Sequence, residues 1–379
     1  MHIIPIASGK GGVGKSLLSA NLSIALAQAG KKVILTDLDL GGSNLHLILG
    51  LRAIPQGIGS FLFEGVALNK LLLDTDVPNL QFLPGDSEIP GMANIKFQQK
   101  NKLLKNLLNL EADYLIMDLG AGTSTNTVDS FLTSSRGIVV TTPTLTATLN
   151  AYFFLKNAVF RLLDTSFKKG SWAKEQLNKI LTSGSQAQKL YLPRFLETVK
   201  EKDPVSAQAF NNAVGKFQPR LVFNMLEHPE DAEKAAKVRR SCREYLGIEL
   251  DHLGVIYRDE LQDIALGARL PIVLYKPQSV LSQAIYRISE KIISTEGLDD
   301  GPLDWEFLDE NFQTASQEAE VDFESRVEFL EDLLDSGTLS MGDLVETVRT
   351  QQLEITQLRK ENLLLKSKVV KALQAGVRL

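Results

Sequence analysis

The chain has a single cysteine, Cys242, and only four histidines, His2, His46, His228 and His252, in 379 residues. One thiolate cannot ligate an iron–sulfur cluster, no C-x-x-C pair is present, and the scattered histidines lack the spacing of a zinc site. Cys242 falls in a helical stretch, Glu230 to Tyr245, and reads as a reduced, partly buried thiol. No run approaches the ~18 consecutive apolar residues of a membrane-spanning helix. The first residues read as a strand, without the basic leader and apolar region of a signal peptide. A cytoplasmic location is therefore expected, with peripheral attachment to the inner face of the membrane or to a cell pole left open. Positive charge is not in excess either: 41 basic residues against 46 acidic ones give a net charge of −5. That balance argues against nucleic-acid binding driven by overall charge, although a local basic patch is still allowed.

What the sequence does have is a short apolar strand, His2 to Ser8, running into Gly9-Lys10-Gly11-Gly12-Val13-Gly14-Lys15-Ser16. This fits G-x-x-x-x-G-K-[ST], and an amphipathic helix, Lys15 to Ala29, follows. Glycines let the backbone turn its N–H groups inward around phosphate oxygens at a helix start. The expected nucleotide cradle is Gly9, Lys10, Gly11, Gly12, Val13, Gly14, Lys15, Ser16 and Leu17. In it Lys15 brings charge to the β- and γ-phosphates and Ser16 is a Mg²⁺ ligand. Two apolar strands end in acid, Lys32 to Asp37, followed by Leu38-Asp39, and Ala112 to Asp118. An aspartate leaving the carboxyl end of a strand beside such a loop faces metal and γ-phosphate. Turn chemistry is the plain alternative for the first.

With its second lysine, Ser8 to Ser16 resembles the deviant P-loop of the MinD/ParA ATPases, in which that lysine, here Lys10, crosses a dimer interface to the partner's nucleotide. The bland alternative is a solvated loop lysine. Asp37-Leu38-Asp39-Leu40-Gly41-Gly42-Ser43-Asn44-Leu45 resembles the family's first switch, which implies that Asp39 positions water and Asp37 supports the Mg²⁺ shell. Asp118-Leu119-Gly120-Ala121-Gly122-Thr123-Ser124 is similar to the second switch of the FlhG-like flagellar-number regulators, with Asp118 as a metal ligand. The resemblance continues through Gly137 to Thr144, through Ala151-Tyr152, and into Arg220 to Met225, which implies that Asn224 reads the adenine edge. Met225 stands where that family has arginine, and Tyr257 where it has proline.

Outside the pattern lie three regions. Residues 163–216 form an insertion with helical spacing and more basic residues (Lys168, Lys169, Lys174, Lys179, Lys189, Arg194, Lys200, Lys202, Lys216) than acidic ones. It reads as a solvated face or as a contact for DNA, anionic lipid or an acidic partner. Residues 295–336 are acidic and are expected as a flexible linker, with Trp305, Phe307 and Phe312 as short-motif anchors. Within 343–379, Val348, Gln351, Ile355, Leu358, Asn362, Leu365, Val369 and Ala372 keep a heptad seam. The competing reading of that tail is a membrane-surface helix.

The expected architecture is α/β: a P-loop NTPase domain over 1–294 with a mostly parallel sheet and helices on both faces, a helical insertion, and a C-terminal coiled-coil helix. The resemblance implies an ATPase using ATP and Mg²⁺, a homodimer closed by ATP, and a role in positioning or assembly beside an unidentified protein partner. A DNA-partitioning ATPase and a coiled-coil scaffold with weak ATPase activity are the alternatives.

Overall fold

The computed structural model describes residues 1–40, 42–51, 56–85, 95–183, 190–296 and 305–335, with nine further helical positions between 342 and 365. The chain divides into two compact units, Met1–Phe323 and Glu324–Leu379.

In the first unit eight strands form one sheet: β1 (His2–Ala7), β2 (Val33–Leu38), β3 (Leu73–Asp74), β4 (Leu80–Leu83), β5 (Tyr114–Leu119), β6 (Ile138–Thr141), β7 (Arg220–Leu226) and β8 (Asp251–Tyr257). Their spatial order is β3-β4-β2-β5-β1-β6-β7-β8. All neighbours are parallel except the short edge pair β3 and β4. Strands covered on both faces favour apolar residues at every position, which is why β5, and β2 apart from Thr36, read as apolar runs up to Asp118 and Asp37. Alternation still assigns the faces: Leu115 and Met117 of β5 point into one core, Tyr114 and Ile116 into the other.

Helix α1 (Lys15–Gln28) and the helix Val280–Ser294 fill one face, with Leu22, Leu26, Ile285 and Ile288 fully or almost fully buried. The other face carries α4 (Thr125–Phe131) and α5 (Leu145–Ser166), which follow α2 (Leu45–Ile48) and α3 (Phe97–Leu107) along the chain. There Phe131 and Phe154 meet edge to face at 4.9 Å. The order β2-β5-β1 is what positions the site. It sets Asp37 opposite Asp118 in register, and Asp118 opposite Ile6 of the strand that feeds the glycine loop.

The insertion is helical, as its spacing predicts: α6 (Trp172–Thr182) and the helices Leu192–Lys202 and Pro204–Lys216. Leu177, Phe195, Val199 and Phe210 bury against the α5 side of the core. Asp203 ties two of these helices, accepting from the Ser206 N–H at 3.1 Å and from the Ala173 N–H at 3.2 Å. Not all the basic residues are available at the surface. Lys174 is half-buried and pairs with Asp164 at 2.5 Å, whereas Lys168, Lys169, Lys179, Arg194, Lys200, Lys202 and Lys216 are exposed, Lys202 over the Trp172 ring.

The acidic segment corrects the expectation of a flexible linker. Residues Trp305–Asp335 are one α-helix, and its first part, through Phe323, belongs to the compact unit that was expected to close at 294. Leu308, Ala315 and Ala319 are buried at helical spacing. The carboxylates that suggested self-repulsion meet cations from far along the chain: Asp309 with Arg239 at 2.6 Å, Glu318 with Lys291 at 2.8 Å, Asp322 with Arg287 at 2.5 Å. Local composition cannot register such partners. Phe312 is no loose anchor either, since it packs edge-on against His252 and under the Arg239 guanidinium. The heptad seam, Leu365 apart, lies outside the described residues.

Candidate nucleotide-binding site

The glycine loop takes the conformation its sequence demands. Gly12 and Gly14 sit at φ of 78° and 85°, in the left-handed region that favours glycine. Gly9 is needed for another reason, because a Cβ there would lie 2.0 Å from the Asn150 carbonyl oxygen of α5. Helix α1 begins at Lys15 without a side-chain cap. Its first N–H groups are thus left to an anion, at the end of the helix dipole that favours one.

Lys15, Ser16, Asp37 and Asp118 converge behind this loop. The Lys15 ammonium, almost fully buried, lies 2.7 Å from Asp118 Oδ1 and reaches Ser16 Oγ at 3.3 Å. Ser19 Oγ donates to the same Asp118 oxygen at 2.9 Å. Ser19 was not singled out from sequence, although its place four residues after Lys15 puts it on the same helix face. Asp37 accepts from Ser43 Oγ at 2.6 Å and from the Asp39 N–H at 3.0 Å. Burial first, and the neighbouring Asp118 second, push the Asp37 carboxyl up to about 6. Asp39 is less buried and approaches the second switch, where a Cβ on Gly120 would come within 3.3 Å of its Oδ1. That loop is in turn tied to the P-loop strand by the Gly122 N–H donating to the Ser8 carbonyl at 2.9 Å. Lys10 is exposed.

On the other side of the loop, Asn224 donates from Nδ2 to the Val13 carbonyl at 2.9 Å. It lines a cavity of about 320 Å³ with Gly12, Leu17, Ile256, Arg258 and Asp259. Met225 adopts φ of 60° where the β7–β8 register shifts, so the arginine-to-methionine departure falls at a strained strand end. Tyr257 also lines this cavity, although its side chain is almost fully buried. Its hydroxyl donates to the Ala319 carbonyl of the acidic helix at 2.7 Å.

Three comparisons bear on this geometry. The ParA family model, described as NUBPL iron-transfer P-loop NTPase, matches residues 1–156. The septum site-determining protein MinD of Synechocystis is 38% identical over 152 residues, 40% of this chain and 56% of that protein. Residues 1–156 are thus similar to the ParA/MinD family of P-loop NTPases. Another member, the flagellum site-determining protein YlxH of Helicobacter pylori, is 34% identical over 158 residues, 40% of this chain and 52% of that protein. The chain thus spans about half the length of these curated relatives. Among solved structures, MinD complexed with Mg-ADP from Pyrococcus horikoshii superposes with a TM-score of 0.52 at 22% identity, covering 78% of this chain and 98% of that one. A ParA family ATPase from Chlorobium tepidum gives 0.52 at 19% identity, over 76% and 97%. These two show a shared fold reaching well beyond residue 156. The iron transfer in the family description finds no cysteine thiolate in the matched residues, the one cysteine being Cys242. Cys242 is itself buried, and burial pushes its thiol up, away from reactivity.

The donor set fits a magnesium nucleotide. Two buried carboxylates in register, one of them held toward its protonated form, form a site that a divalent cation would relieve, with the Ser16 hydroxyl adjacent. Among the described residues no helix is long and apolar enough to cross a membrane.

Proposed function

We propose that this protein is an ATP hydrolase whose nucleotide state switches a homodimer, and that it regulates cellular positioning or assembly. The observation that carries the reading is the convergence of Lys15, Asp37 and Asp118 behind a glycine loop with left-handed Gly12 and Gly14 and an α1 start that has no side-chain cap. Lys15 would leave Asp118 for the β- and γ-phosphates when ATP enters, a move its position between the two allows. Ser16 and Asp118, with Asp37 behind, would hold Mg²⁺, which neutralises phosphate charge when bound. Asp39, beside the second switch, would orient the attacking water, and Asn224 would read the base. Lys10, exposed on the loop, would reach the partner's phosphates in the closed dimer, so that association and hydrolysis are linked.

Positioning is supported by the names of two relatives, one septum site-determining and one flagellum site-determining. The test is phosphate release from ATP by the full chain with Mg²⁺, together with light scattering with and without ATP. Binding of Mg-ATP with turnover and ATP-dependent association supports the proposal, and absence of Mg-ATP binding overturns it. ATP-dependent, salt-sensitive retention on DNA would instead favour partitioning, and pelleting with liposomes would place the cycle at a membrane.

A further inference from the structure

We propose that the acidic helix, through Trp305–Phe323, holds the walls of the base-side cavity, and that Tyr257 is the positioning residue that couples them. The inference rests on the proposed nucleotide reading, since it concerns what shapes the end of the cleft beyond the phosphates.

Strand β8 alternates, so Ile256 faces the core that holds α1 while Tyr257 faces the opposite one, where Ala315 and Ala319 of the acidic helix lie. The Tyr257 hydroxyl, buried, donates to the Ala319 carbonyl at 2.7 Å. The chain then turns at once into the cavity wall. Arg258 donates its N–H to the Leu226 carbonyl at 3.0 Å, and Asp259 Oδ1 accepts from the Leu261 N–H at 2.9 Å. Where β8 ends therefore decides where Arg258 and Asp259 stand.

A second wall is gripped independently. The helix Val280–Ser294 gives Leu281 and Ile285 to the cavity, and from its other side Arg287 and Lys291 pair with Asp322 and Glu318 at 2.5 and 2.8 Å. A third contact reaches the β7 end. Phe323 lies 6.2 Å from the Tyr257 ring and 6.4 Å from His228, two residues past the strand that carries Asn224. Among the described contacts the acidic helix thus meets three of the elements around the base side, β8, the helix Val280–Ser294 and the segment after β7, and takes no part in the Lys15, Asp37 and Asp118 contacts. A ligand that needs those walls in place must favour the docked helix, and by linkage the docked helix must favour that ligand by the same factor.

The test uses the full chain and two probes, Mg-ATP and inorganic tripolyphosphate, which lacks a base. Tyr257→Phe keeps the ring and removes one hydroxyl. It should raise the KM for ATP about three- to tenfold with kcat unchanged, in line with the loss of one buried hydrogen bond, and should leave tripolyphosphate affinity alone. Asp322→Asn, which cuts the Arg287 pair without touching β8, should act in the same direction. In the wild type, amide exchange across residues 312–323 should slow on adding ATP but not tripolyphosphate, and Tyr257→Phe should weaken that slowing. Unchanged ATP affinity in both variants overturns the inference, as does equal loss of ATP and tripolyphosphate, which would mean general unfolding of the site. A wild-type chain that binds neither probe overturns the nucleotide reading itself.

Discussion

The phosphate side of the cleft is assembled from three adjacent strand ends, whereas the base side draws on residues from Gly12 to Ile285 and leans on a helix that starts at Trp305. On the phosphate side the sheet order alone brings Lys15, Asp37 and Asp118 together. On the base side the shape depends on a strained Met225, on Tyr257 tied to the acidic helix and on two long-range ion pairs. The contrast follows from what each end must recognise. Phosphates need backbone N–H groups, one ammonium and carboxylates for metal, a set that a short contiguous loop supplies. A base needs only a shaped, partly apolar slot, and many residue sets can build one.

If that contrast is right, damage at the phosphate side should be severe and local. Lys15→Ala carries the largest expected effect. It removes the ammonium expected at the γ-phosphate and also strands Asp118, whose side chain is 1% exposed. Leaving one partner of a buried pair uncompensated costs about 3–5 kcal/mol. Calorimetry should detect no ATP binding, and denaturant unfolding without nucleotide should show the stability loss. Wild-type ATP affinity in this variant would remove Lys15 from the site.

How far each side could be read from sequence follows the same division. The strand, glycine loop and helix, and the two strands closing on Asp37 and Asp118, are contiguous patterns with a period and a stop, so their elements and order were legible. Ser19 and Ser43 were not, because an isolated serine carries no signal until the fold brings it to within 2.9 Å of Asp118 or 2.6 Å of Asp37. The acidic helix was misjudged for a related reason. Its carboxylates repel one another locally, and only the fold supplies Arg239, Arg287 and Lys291. Tyr257 was noticed as a departure, but its partner lies 62 residues away.

Asp39→Ala separates binding from turnover within the phosphate side. Asp39 pairs with none of Lys15, Ser16 or Asp118 among the contacts seen, so ground-state phosphate contacts should survive while hydrolysis falls about 100-fold, the range for a lost base or water-orienting group. Single-turnover phosphate release against equilibrium ATP binding reads both. Equal loss of binding and turnover would merge Asp39 with the cradle instead.

Asp37→Asn tests whether the phosphate side is strained without its cation. The folded carboxyl titrates near 6 against an ordinary value of 3.8. Its pKa is raised, so its favourable contribution is complete below about pH 4 and is lost as pH rises through 6. Asparagine does not titrate and can still pair with Ser43 once that hydroxyl turns to accept. The variant should therefore gain stability over wild type between pH 4 and 7, reaching about 2–3 kcal/mol at pH 7.5 without Mg²⁺, at ~1.4 kcal/mol per pKa unit. Denaturant melts at pH 4, 6 and 7.5 give the curve. A difference that does not change with pH would mean that burial does not disfavour the ionised form of Asp37.

Lys10→Ala should do least to the isolated protomer and is for that reason the sharpest test of the dimer. Lys10 is exposed on a loop whose shape is set by Gly12, Gly14 and the Gly9–Asn150 approach, none of which involves its side chain. An exposed substitution of this kind changes stability by no more than about 0.5 kcal/mol, and ATP affinity at low protein concentration should stay at the wild-type value. At high concentration the variant should diverge, because closing two phosphate sites against each other brings like charges together and a cation at the seam offsets them. ATP-dependent mass increase by light scattering should then be lost, and kcat should stop rising with protein concentration. An ATP-driven dimer that forms as readily in Lys10→Ala as in wild type would make this lysine a solvated loop residue, and the switch would have to close through other contacts.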